Sequence, residues 1–267
     1  MKLPMQDVTR LNAGAIKLEI HRTGKAAGEA AAQAAAEELR RLDRAGKDIG
    51  VIFATGASQL DMLEALTSTP GLPWNRVLGF HMDEYVGLDE NHPASFRRYL
   101  RERLTSKVAM RAFFEMDGNA ENIDSFARDY MQKLDAANPQ LCLLGIGENG
   151  HLAFNDPAEA DFNDPLPIKV VTLDDACRQQ QVSEGWFASR DDVPRQALTL
   201  TIPTLLRVPK LILTVPGSRK ATAVRRTLED PVQTDCPSTI LRTHPDVTIY
   251  LDVDSAAALG GCGLSRQ

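Results

Sequence analysis

QLCLLGIGENGHLAFNDP, residues 140–157, is the stretch that decides the fold class of this 267-residue chain. It begins with an apolar run, turns on glycines, and continues through polar residues to a proline. A short apolar run without polar alternation is typical of a parallel strand that is covered on both faces. We therefore predict a buried strand over 140–147, followed by a loop at the carboxyl edge of a sheet, where such sheets bind ligands.

Strands and helices alternate along the rest of the chain. Further predicted strands cover 16–20, 48–56, 76–82, 168–173, 210–215 and 246–251. Predicted helices cover 25–44, 58–66, 94–104, 120–134 and 218–229. Because this alternation is typical of a parallel sheet with helices on both faces, we predict a single α/β domain over 1–267. Its sheet is predicted to be open, mostly parallel and Rossmann-like.

Charge and composition argue against several classes of function. Thirty basic and 36 acidic residues give a net charge of −6, which argues against nucleic acid or an anionic membrane as the main partner. The N-terminal MKLPMQDVTR has no apolar core, and no run approaches about 18 apolar residues, so we expect a cytoplasmic protein without membrane spans. The cysteines lack the paired spacing of a zinc site, so we predict reduced thiols and no metal at Cys142, Cys177, Cys236 and Cys262.

Gly145, Gly147 and Gly150 spell the G-x-G-x-x-G fingerprint of dinucleotide-binding sites. That fingerprint requires a helix directly after it, because the helix N-terminus holds the pyrophosphate. Here the next residues include Pro157 and Pro165 among several asparagines and aspartates, which predicts a loop. We therefore reject a nicotinamide-binding site.

Two segments follow the order strand, glycine turn, helix start, which presents backbone N–H groups to an anion. The first is ATGAS (54–58), where Thr55 and Ser58 add hydroxyl groups. The second is VPGSRK (215–220), where Lys220 adds a cation suited to a phosphate. Taken singly, Ser58 also suits an ordinary helix cap and Lys220 an ordinary surface lysine. Together at strand ends, the segments predict a site for a small phosphorylated molecule.

Candidate acid–base groups follow two of the predicted strands. Asp83 ends an apolar strand, and partial burial of its carboxylate would raise its pKa towards the range of a general base. His151 follows the glycine turn, with Glu148 before it and Asp156 after it to orient the ring. The alternatives are a solvated turn carboxylate for Asp83 and a structural histidine for His151.

Four motifs occur along the chain in a characteristic order. They are TGAS (55–58), MDEYVGL…HPASF (82–96), GIGENGHLAFNDP (145–157) and GSRKA (217–221). In this order they resemble the glucosamine-6-phosphate deaminases, which share a fold with the 6-phosphogluconolactonases. The resemblance covers about 54–251, which is most of the chain, and implies the α/β fold of that deaminase and lactonase type.

The resemblance implies an activity and a set of roles. The reaction would convert an amino-sugar phosphate to a ketose phosphate and ammonia, an isomerisation with hydrolysis of a C–N bond and no cofactor. Asp83 matches the general base that moves a proton between C2 and C1. His151 matches the histidine that assists ring opening, with Asp156 as its partner. The residues that match the phosphate clamp are Thr55, Gly56, Ala57, Ser58 and Lys220.

The sequence departs from the family pattern at three positions. Asn149 stands where an aspartate is usual, so that Glu148 is a candidate substitute for the missing charge. Asp156 is one methylene shorter than the usual glutamate. Gln181 stands where a phosphate-binding arginine is expected, with Arg178 one turn away. These changes indicate a divergent subgroup with its own choice of amino-sugar or ketose phosphate.

Two other functions stay open from the sequence. One is a 6-phosphogluconolactonase-type hydrolase on the same scaffold. The other is a non-catalytic regulator that binds a sugar phosphate. In each case the expected partner is a small hexose phosphate. The resemblance also leaves a homo-oligomer open, because family members often form oligomers.

Overall fold

The structure is a computed structural model that describes residues 8–260 and 264–266, so the prediction for Cys262 lies outside the described residues. Its strands are β1 (Val8–Ala13), β2 (Ile16–His21), β3 (Ile49–Phe53), β4 (Val77–His81), β5 (Asp83–Tyr85), β6 (Ala112–Phe114), β7 (Leu141–Leu144), β8 (Ile168–Thr172), β9 (Gln196–Leu200), β10 (Lys210–Val215), β11 (Val247–Asp252) and β12 (Leu264–Arg266).

Seven α-helices lie between these strands in the described ranges. They are α1 (Gly24–Asp43), α2 (Leu60–Ser68), α3 (Phe96–Leu100), α4 (Ile123–Ala137), α5 (Asp175–Ser183), α6 (Ile202–Leu206) and α7 (Ala221–Glu229). A π-helical turn (Arg101–Thr105) extends α3. Short 3₁₀ turns cover Ala57–Gln59, Trp74–Arg76, Arg190–Asp192, Ser218–Lys220 and Pro237–Thr243.

Nine strands form one large sheet in the order β12-β1-β2-β11-β10-β7-β3-β4-β6. All neighbours from β2 to β6 pair in parallel, whereas β1 pairs antiparallel with both β2 and β12. The prediction of an open, mostly parallel sheet is therefore confirmed. One domain over 1–267 stays a prediction.

The strand in the opening motif lies at the centre of this sheet, and its side chains point alternately to the two faces. Leu141 and Leu143 join the core under α1 and α2, while Cys142 and Leu144 join the core on the other face. All four side chains are at most 1% exposed. The prediction of a strand that is buried on both faces is confirmed, and its carboxyl end is fixed in the middle of the fold.

Helix α1 packs closely on the sheet because its buried face consists of small residues. Thr23 caps its N-terminus by accepting a hydrogen bond from the backbone N–H of Ala26. A Cβ at Gly28 would lie 2.7 Å from the Cβ of Asp61, so the backbones of α1 and α2 approach each other closely there.

No helix within the described residues is both long and apolar enough to cross a membrane.

The prediction that 168–173 completes the large sheet is wrong. Strand β8 instead pairs antiparallel with β9, which pairs antiparallel with β5, in a separate three-stranded sheet. Ile168 and Val171 are buried but Val170 is 38% exposed, so one face of β8 is partly open. Such a half-covered antiparallel strand is rich in the same β-branched residues as a parallel one, and its sequence does not distinguish them. The small sheet carries Asp83 on β5.

Candidate active site

A cleft opens beyond the carboxyl ends of β3 and β7. This is the edge at which parallel sheets bind ligands. Eight of the predicted site residues line the cleft, namely Thr55, Gly56, Ala57, Ser58, Asp83, His151, Gln181 and Lys220. The structure therefore brings both predicted anion-binding segments and both principal acid–base residues to one place.

The first anion-binding segment leaves β3 through Gly56. The backbone of Gly56 has φ 94° and ψ 169°, a conformation that favours glycine, and the 3₁₀ turn and α2 follow. The hydroxyl of Tyr99 donates a hydrogen bond of 2.9 Å to the carbonyl of Gly56. This bond fixes the orientation of the peptide that precedes Ala57 and Ser58 at the edge of the cleft.

The second segment leaves β10 through Gly217, which has nearly the same conformation, φ 95° and ψ 148°. Its backbone N–H donates to both carboxylate oxygens of Asp252, at 3.0 and 3.1 Å. Lys220 follows and is only 6% exposed. Burial lowers the pKa of its ammonium, against the opposing influence of Glu184 and Glu148. A desolvated cation of this kind gains most when an anion enters the cleft.

Asp83 is the most strongly perturbed carboxylate in the cleft. Strand β5 places it opposite Thr199 of β9, and its side chain is 5% exposed. Its Oδ1 is buried and has no hydrogen-bond partner in the described part of the chain. Burial, and secondly the charge of Glu84, raise the pKa of Asp83 well above its ordinary value. A carboxylate in this state is a stronger base than one in water.

Glu84 has a different role although it is the next residue. It is fully buried and caps α3, accepting hydrogen bonds from Ser95 Oγ at 3.0 Å and from the backbone N–H of Arg97 at 2.8 Å. Burial raises its pKa, and these bonds oppose the rise. Because successive side chains of a strand point to opposite faces, only Asp83 reaches the cleft.

His151 and Asp156 form a pair, called here the dyad. His151 Nδ1 lies 2.9 Å from Asp156 Oδ1, and the carboxylate of Asp156 is completely buried. Burial favours the protonated acid, but the charge of His151 and hydrogen bonds from Asn149 and the backbone of Asp174 hold the pKa of Asp156 below its ordinary value. An ionised carboxylate at this distance orients the imidazole.

Asn149 lies behind the cleft wall and not in it. Its side-chain N–H₂ group donates to Asp156 Oδ1 at 3.0 Å and to Asp174 Oδ2 at 3.2 Å. Its oxygen accepts from the backbone N–H of His151 at 3.0 Å. Asn149 therefore contacts both members of the dyad. Asp174 belongs to this network, yet nothing in its sequence surroundings marks it as more than the N-cap of α5.

Glu148 is not brought to His151. Its carboxylate lies 3.3 Å from Nε of Arg219, next to the second anion-binding segment, and its backbone N–H donates to Gln180. The predicted substitution of Glu148 for the charge missing at Asn149 therefore finds no support in this geometry. The side chain at position 148 points away because the chain turns at Gly150, which has φ 88°.

Helix α5 contributes a glutamine to the cleft and turns its arginine away. Gln181 lines the cleft and is 6% exposed. Arg178 is also buried, but it donates to the backbone carbonyls of Arg190 and Val193 and so holds the following loop. The phosphate-binding arginine expected from the family pattern therefore has no counterpart in this part of the helix.

Two of the three glycines of the apparent fingerprint are required for packing. A Cβ at Gly147 would lie 2.2–2.4 Å from three atoms of the His151 ring, so the imidazole lies directly on the backbone. A Cβ at Gly150 would lie 2.5 Å from the sulfur of Cys236. Residues 148–167 contain no helix, so the loop predicted after these glycines is confirmed. The absence of a side chain at Gly147 makes room for the His151 ring.

Replacing Gly147 with alanine is therefore expected to displace the His151 ring. A displacement of about 1 Å commonly costs about 10²-fold in rate, so we expect kcat to fall by roughly that factor. Gly260→Ala is the matched control, because its new Cβ would meet only ordinary contacts at 3.4 Å or more. Steady-state rates and thermal melts of both variants make the measurement. An unchanged kcat in Gly147→Ala would show that the rate does not depend on the position of the His151 ring.

Some cleft residues carry no signal that sequence reasoning recognises. Gln59 is 1% exposed, and its Nε2 donates to the carbonyls of Leu144 and Thr214, which ties β7 to β10 beneath the cleft. Glu184 lines the cleft close to Lys220. Both are polar residues within or beside short helical segments, and only the fold brings them to the site.

One cluster contains side chains that are capable of binding a metal. The ligand atoms of His151, Asp156 and Cys177 lie within 4.8 Å of one another. Burial, followed by the charges of Asp156 and Asp174, raises the pKa of the Cys177 thiol well above its ordinary value. Metals bind the thiolate, so this donor set suits a network of hydrogen bonds better than a cation site. A metal-free site stays a prediction.

Comparison with known proteins places this geometry in a family. Residues 22–250 match the sequence profile described as glucosamine-6-phosphate isomerases/6-phosphogluconolactonase. A glucosamine-6-phosphate deaminase of Listeria monocytogenes serotype 4a is 33% identical over 207 residues, 78% of this chain and 86% of the relative. One from Corynebacterium kroppenstedtii is 34% identical over 233 residues, 84% of this chain and 87% of the relative.

Solved structures agree with the sequence matches. A monomeric glucosamine-6-phosphate deaminase superposes with a TM-score of 0.82 at 30% identity, covering 90% of this chain and 99% of that one. The 6-phosphogluconolactonase of Thermotoga maritima superposes with a TM-score of 0.70 at 20% identity, covering 89% and 98%, and shows the shared fold alone. Fold, cleft and relatives agree, and the chain belongs to the family of glucosamine-6-phosphate isomerases and 6-phosphogluconolactonases.

Proposed function

We propose that the protein is an enzyme that converts glucosamine 6-phosphate and water to fructose 6-phosphate and ammonia. The observation that carries the proposal is the carboxylate of Asp83, which is buried, unpaired at Oδ1 and raised in pKa in the same cleft as Lys220. The relatives named as deaminases support the choice of substrate.

In the proposed reaction Asp83 is the base that acts on the opened sugar. It takes the proton from C2, which carries the amino group. The electrons of that C–H bond form a C1–C2 double bond, while the C1–O1 π electrons of the aldehyde move to O1, which takes up a proton. Return of the proton from Asp83 to C1, as the nitrogen lone pair forms a C2–N double bond, leaves a protonated C2 imine with a hydroxyl group on C1. Water adds to this imine, and the C–N bond breaks to release ammonia and leave the C2 ketone. A carboxylate with a raised pKa suits both proton removal and return.

The dyad is proposed to act at the ring oxygen and the O1 hydroxyl. Ring opening requires a proton to leave O1 while the ring oxygen receives one. His151 lines the cleft, and its ring is oriented by the ionised carboxylate of Asp156. We propose that the imidazole of His151 exchanges a proton with these oxygens while Asp156 holds the ring in one orientation.

The phosphate is proposed to bind at the other end of the cleft. The turn at Gly56 and the buried ammonium of Lys220, which follows the turn at Gly217, both line the cleft, as does Gln181. With glutamine in place of an arginine, Lys220 is the one cation among the described residues that line the cleft. The catalytic and phosphate-binding roles of these residues are our proposal.

The competing activity is hydrolysis of 6-phosphogluconolactone, because the family includes both reaction types. Incubation of the purified protein with each substrate separates them, with ammonia, fructose 6-phosphate and acid release as the measured products. We expect ammonia and fructose 6-phosphate in equal amounts from glucosamine 6-phosphate. Acid release from the lactone without ammonia from the amino sugar would replace the proposal with the lactonase, and binding without turnover would replace it with a regulator.

Glu184 is expected to weaken phosphate binding. Its carboxylate lines the same cleft as Lys220, while accepting hydrogen bonds from Gln180 Nε2 and Trp186 Nε1. In Glu184→Gln an amide oxygen remains to accept a hydrogen bond and the negative charge is lost. Because partly exposed charge pairs contribute up to about 1 kcal/mol, KM should fall by up to about fivefold. Inhibition by inorganic phosphate should strengthen in parallel, and an increase in KM would contradict this placement.

Location and assembly stay predictions. We infer a cytoplasmic enzyme of amino-sugar metabolism from the reaction class. The solved deaminase that resembles this chain is described as monomeric, so a homo-oligomer is not a requirement of the fold. Size-exclusion chromatography with light scattering measures the assembly directly.

A further inference from the structure

We propose that Asn149 and Asp174 are a positioning pair, in which Asn149 links the carboxylate of Asp174 to the dyad. The inference rests on the proposed function and adds a residue, Asp174, that neither the motifs nor the cleft lining singles out. Neither residue contacts the substrate in this proposal. Both act through Asp156 and His151.

The first argument is the geometry of the shared amide. Asn149 Nδ2 has two hydrogens, and it lies 3.0 Å from Asp156 Oδ1 and 3.2 Å from Asp174 Oδ2. The backbone N–H of Asp174 also donates to Asp156 Oδ2 at 3.3 Å. The two carboxylates are thus joined by an amide on one side and by a peptide on the other. Every polar atom of the Asn149 side chain is used.

The second argument is electrostatic. An aspartate at position 149 would replace the shared donor with a carboxylate about 3 Å from two others. Three carboxylates at this separation do not all stay ionised, because like charges raise one another's pKa values. With Asp174 present, the residue at 149 has to be a neutral donor.

The third argument is that Asp174 is held firmly in place. Its Oδ1 accepts a hydrogen bond of 2.6 Å from the backbone N–H of Cys177, which caps α5. The helix thus fixes the carboxylate that in turn orients Asn149. The Cys177 thiol faces this cluster, where burial and then the charges of Asp156, Asp174 and Asp83 raise its pKa and keep it neutral.

Three variants test the pair: Asn149→Asp, Asp174→Asn and the double variant that combines them. Asparagine caps helices about as well as aspartate, so Asp174→Asn retains α5. It removes the negative charge and replaces the oxygen that accepts from Asn149 with an N–H₂ donor. Asp175→Asn is the matched control, because Asp175 is the next residue in the same turn, is exposed, and forms ion pairs with Arg178 and Arg190 at the surface.

We expect Asn149→Asp to lower kcat for deamination by about 10- to 100-fold, a loss of the size seen when the hydrogen-bond partner that orients a metal-bound histidine is changed. Adding Asp174→Asn should restore part of this loss by reducing three carboxylates to two. Asp174→Asn alone should lower kcat, and Asp175→Asn should leave it unchanged. Asp174→Asn should therefore lower kcat in the wild-type background and raise it in the Asn149→Asp background. A merely structural role for Asp174 would lower kcat in both backgrounds.

A titration of the His151 ring by NMR gives a second readout that does not require turnover, with His151→Gln to assign the signal. The pKa of His151 should rise in Asn149→Asp, fall in Asp174→Asn, and return towards the wild-type value in the double variant. Two outcomes would overturn the inference. One is a double variant whose loss in kcat equals the product of the losses in the two single variants. The other is a His151 pKa that shifts no more in Asp174→Asn than in Asp175→Asn. If the wild-type protein releases no ammonia, the proposed function fails, while the NMR titration still decides the pairing.

Discussion

Replacing Asp83 with asparagine is expected to lower kcat for deamination of glucosamine 6-phosphate by about 10²–10⁴-fold, the usual contribution of general acid–base catalysis. Asparagine has nearly the same shape and cannot accept the C2 proton. Substrate binding should change little, because the phosphate end of the cleft is left intact. The loss should therefore appear in kcat and not in KM.

The same substitution is expected to raise the melting temperature at neutral pH. Burial raises the pKa of Asp83 above its unfolded value, so the folded protein holds this proton more tightly than the unfolded chain does. As pH rises from the unfolded pKa of about 4 through the higher folded pKa, the unfolded state is increasingly favoured, and stability falls. Asparagine removes this penalty. The gain in stability of Asp83→Asn should vanish in acid, where both states of the wild type are protonated.

Asp89→Asn is a suitable control, because Asp89 lies six positions along the same segment and is exposed. It should leave both the rate and the melting temperature near the wild-type values. The measurements are steady-state kinetics and thermal melts from acid to neutral pH. Near-normal kcat in Asp83→Asn would remove Asp83 from the role of base. A melting temperature that falls at neutral pH would contradict the raised pKa.

Replacing Lys220 with methionine is expected to raise KM by about 10- to 150-fold, since hydrogen bonds to charged groups contribute about 1.5–3 kcal/mol. The methionine fills the volume of the lysine stem and removes the cation from a site that is 6% exposed. Because Gln181 replaces the arginine expected there, no second cation at that position of α5 compensates. A substrate without the phosphate should be almost insensitive to the change.

Lys107→Met is the matched control for this prediction, because Lys107 is exposed and distant in sequence from the cleft residues. Comparing glucosamine 6-phosphate with glucosamine in both variants isolates the contribution of the phosphate. Inhibition by inorganic phosphate should weaken in Lys220→Met by the same factor as KM rises. Equal KM values for wild type and Lys220→Met would place the phosphate elsewhere.

Much of the fold was predictable because its central strands have an unambiguous pattern. The strands at 49–53, 141–144 and 210–215 are buried on both faces, and only a parallel sheet between helix layers requires that. Strand β8 was assigned to the wrong sheet because strand patterns do not specify partners. Short strands such as β5 and β6, with three residues each, are too brief for any periodicity to appear.

The site was predictable where function requires a rare local sequence, and not where it depends on tertiary contacts. The glycine turns at 56 and 217 were visible because positive φ favours glycine. Asp174 was not, since an aspartate before a helix is the commonest of caps. The orientation of Glu148 towards Arg219 follows from how the loop turns, which no spacing of residues in the sequence specifies.

The proposed base and the two proposed phosphate-binding turns belong to two different sheets. Asp83 is on the small antiparallel sheet, whereas the turns follow strands of the large one. Under the proposed function, the distance between the two sheets therefore sets how many bonds lie between the phosphate and the carbon that loses its proton. Leu198 and Leu200 of the small sheet share a core with Phe80 of the large sheet. Changes in that apolar contact would select a longer or shorter sugar without altering any residue that touches it.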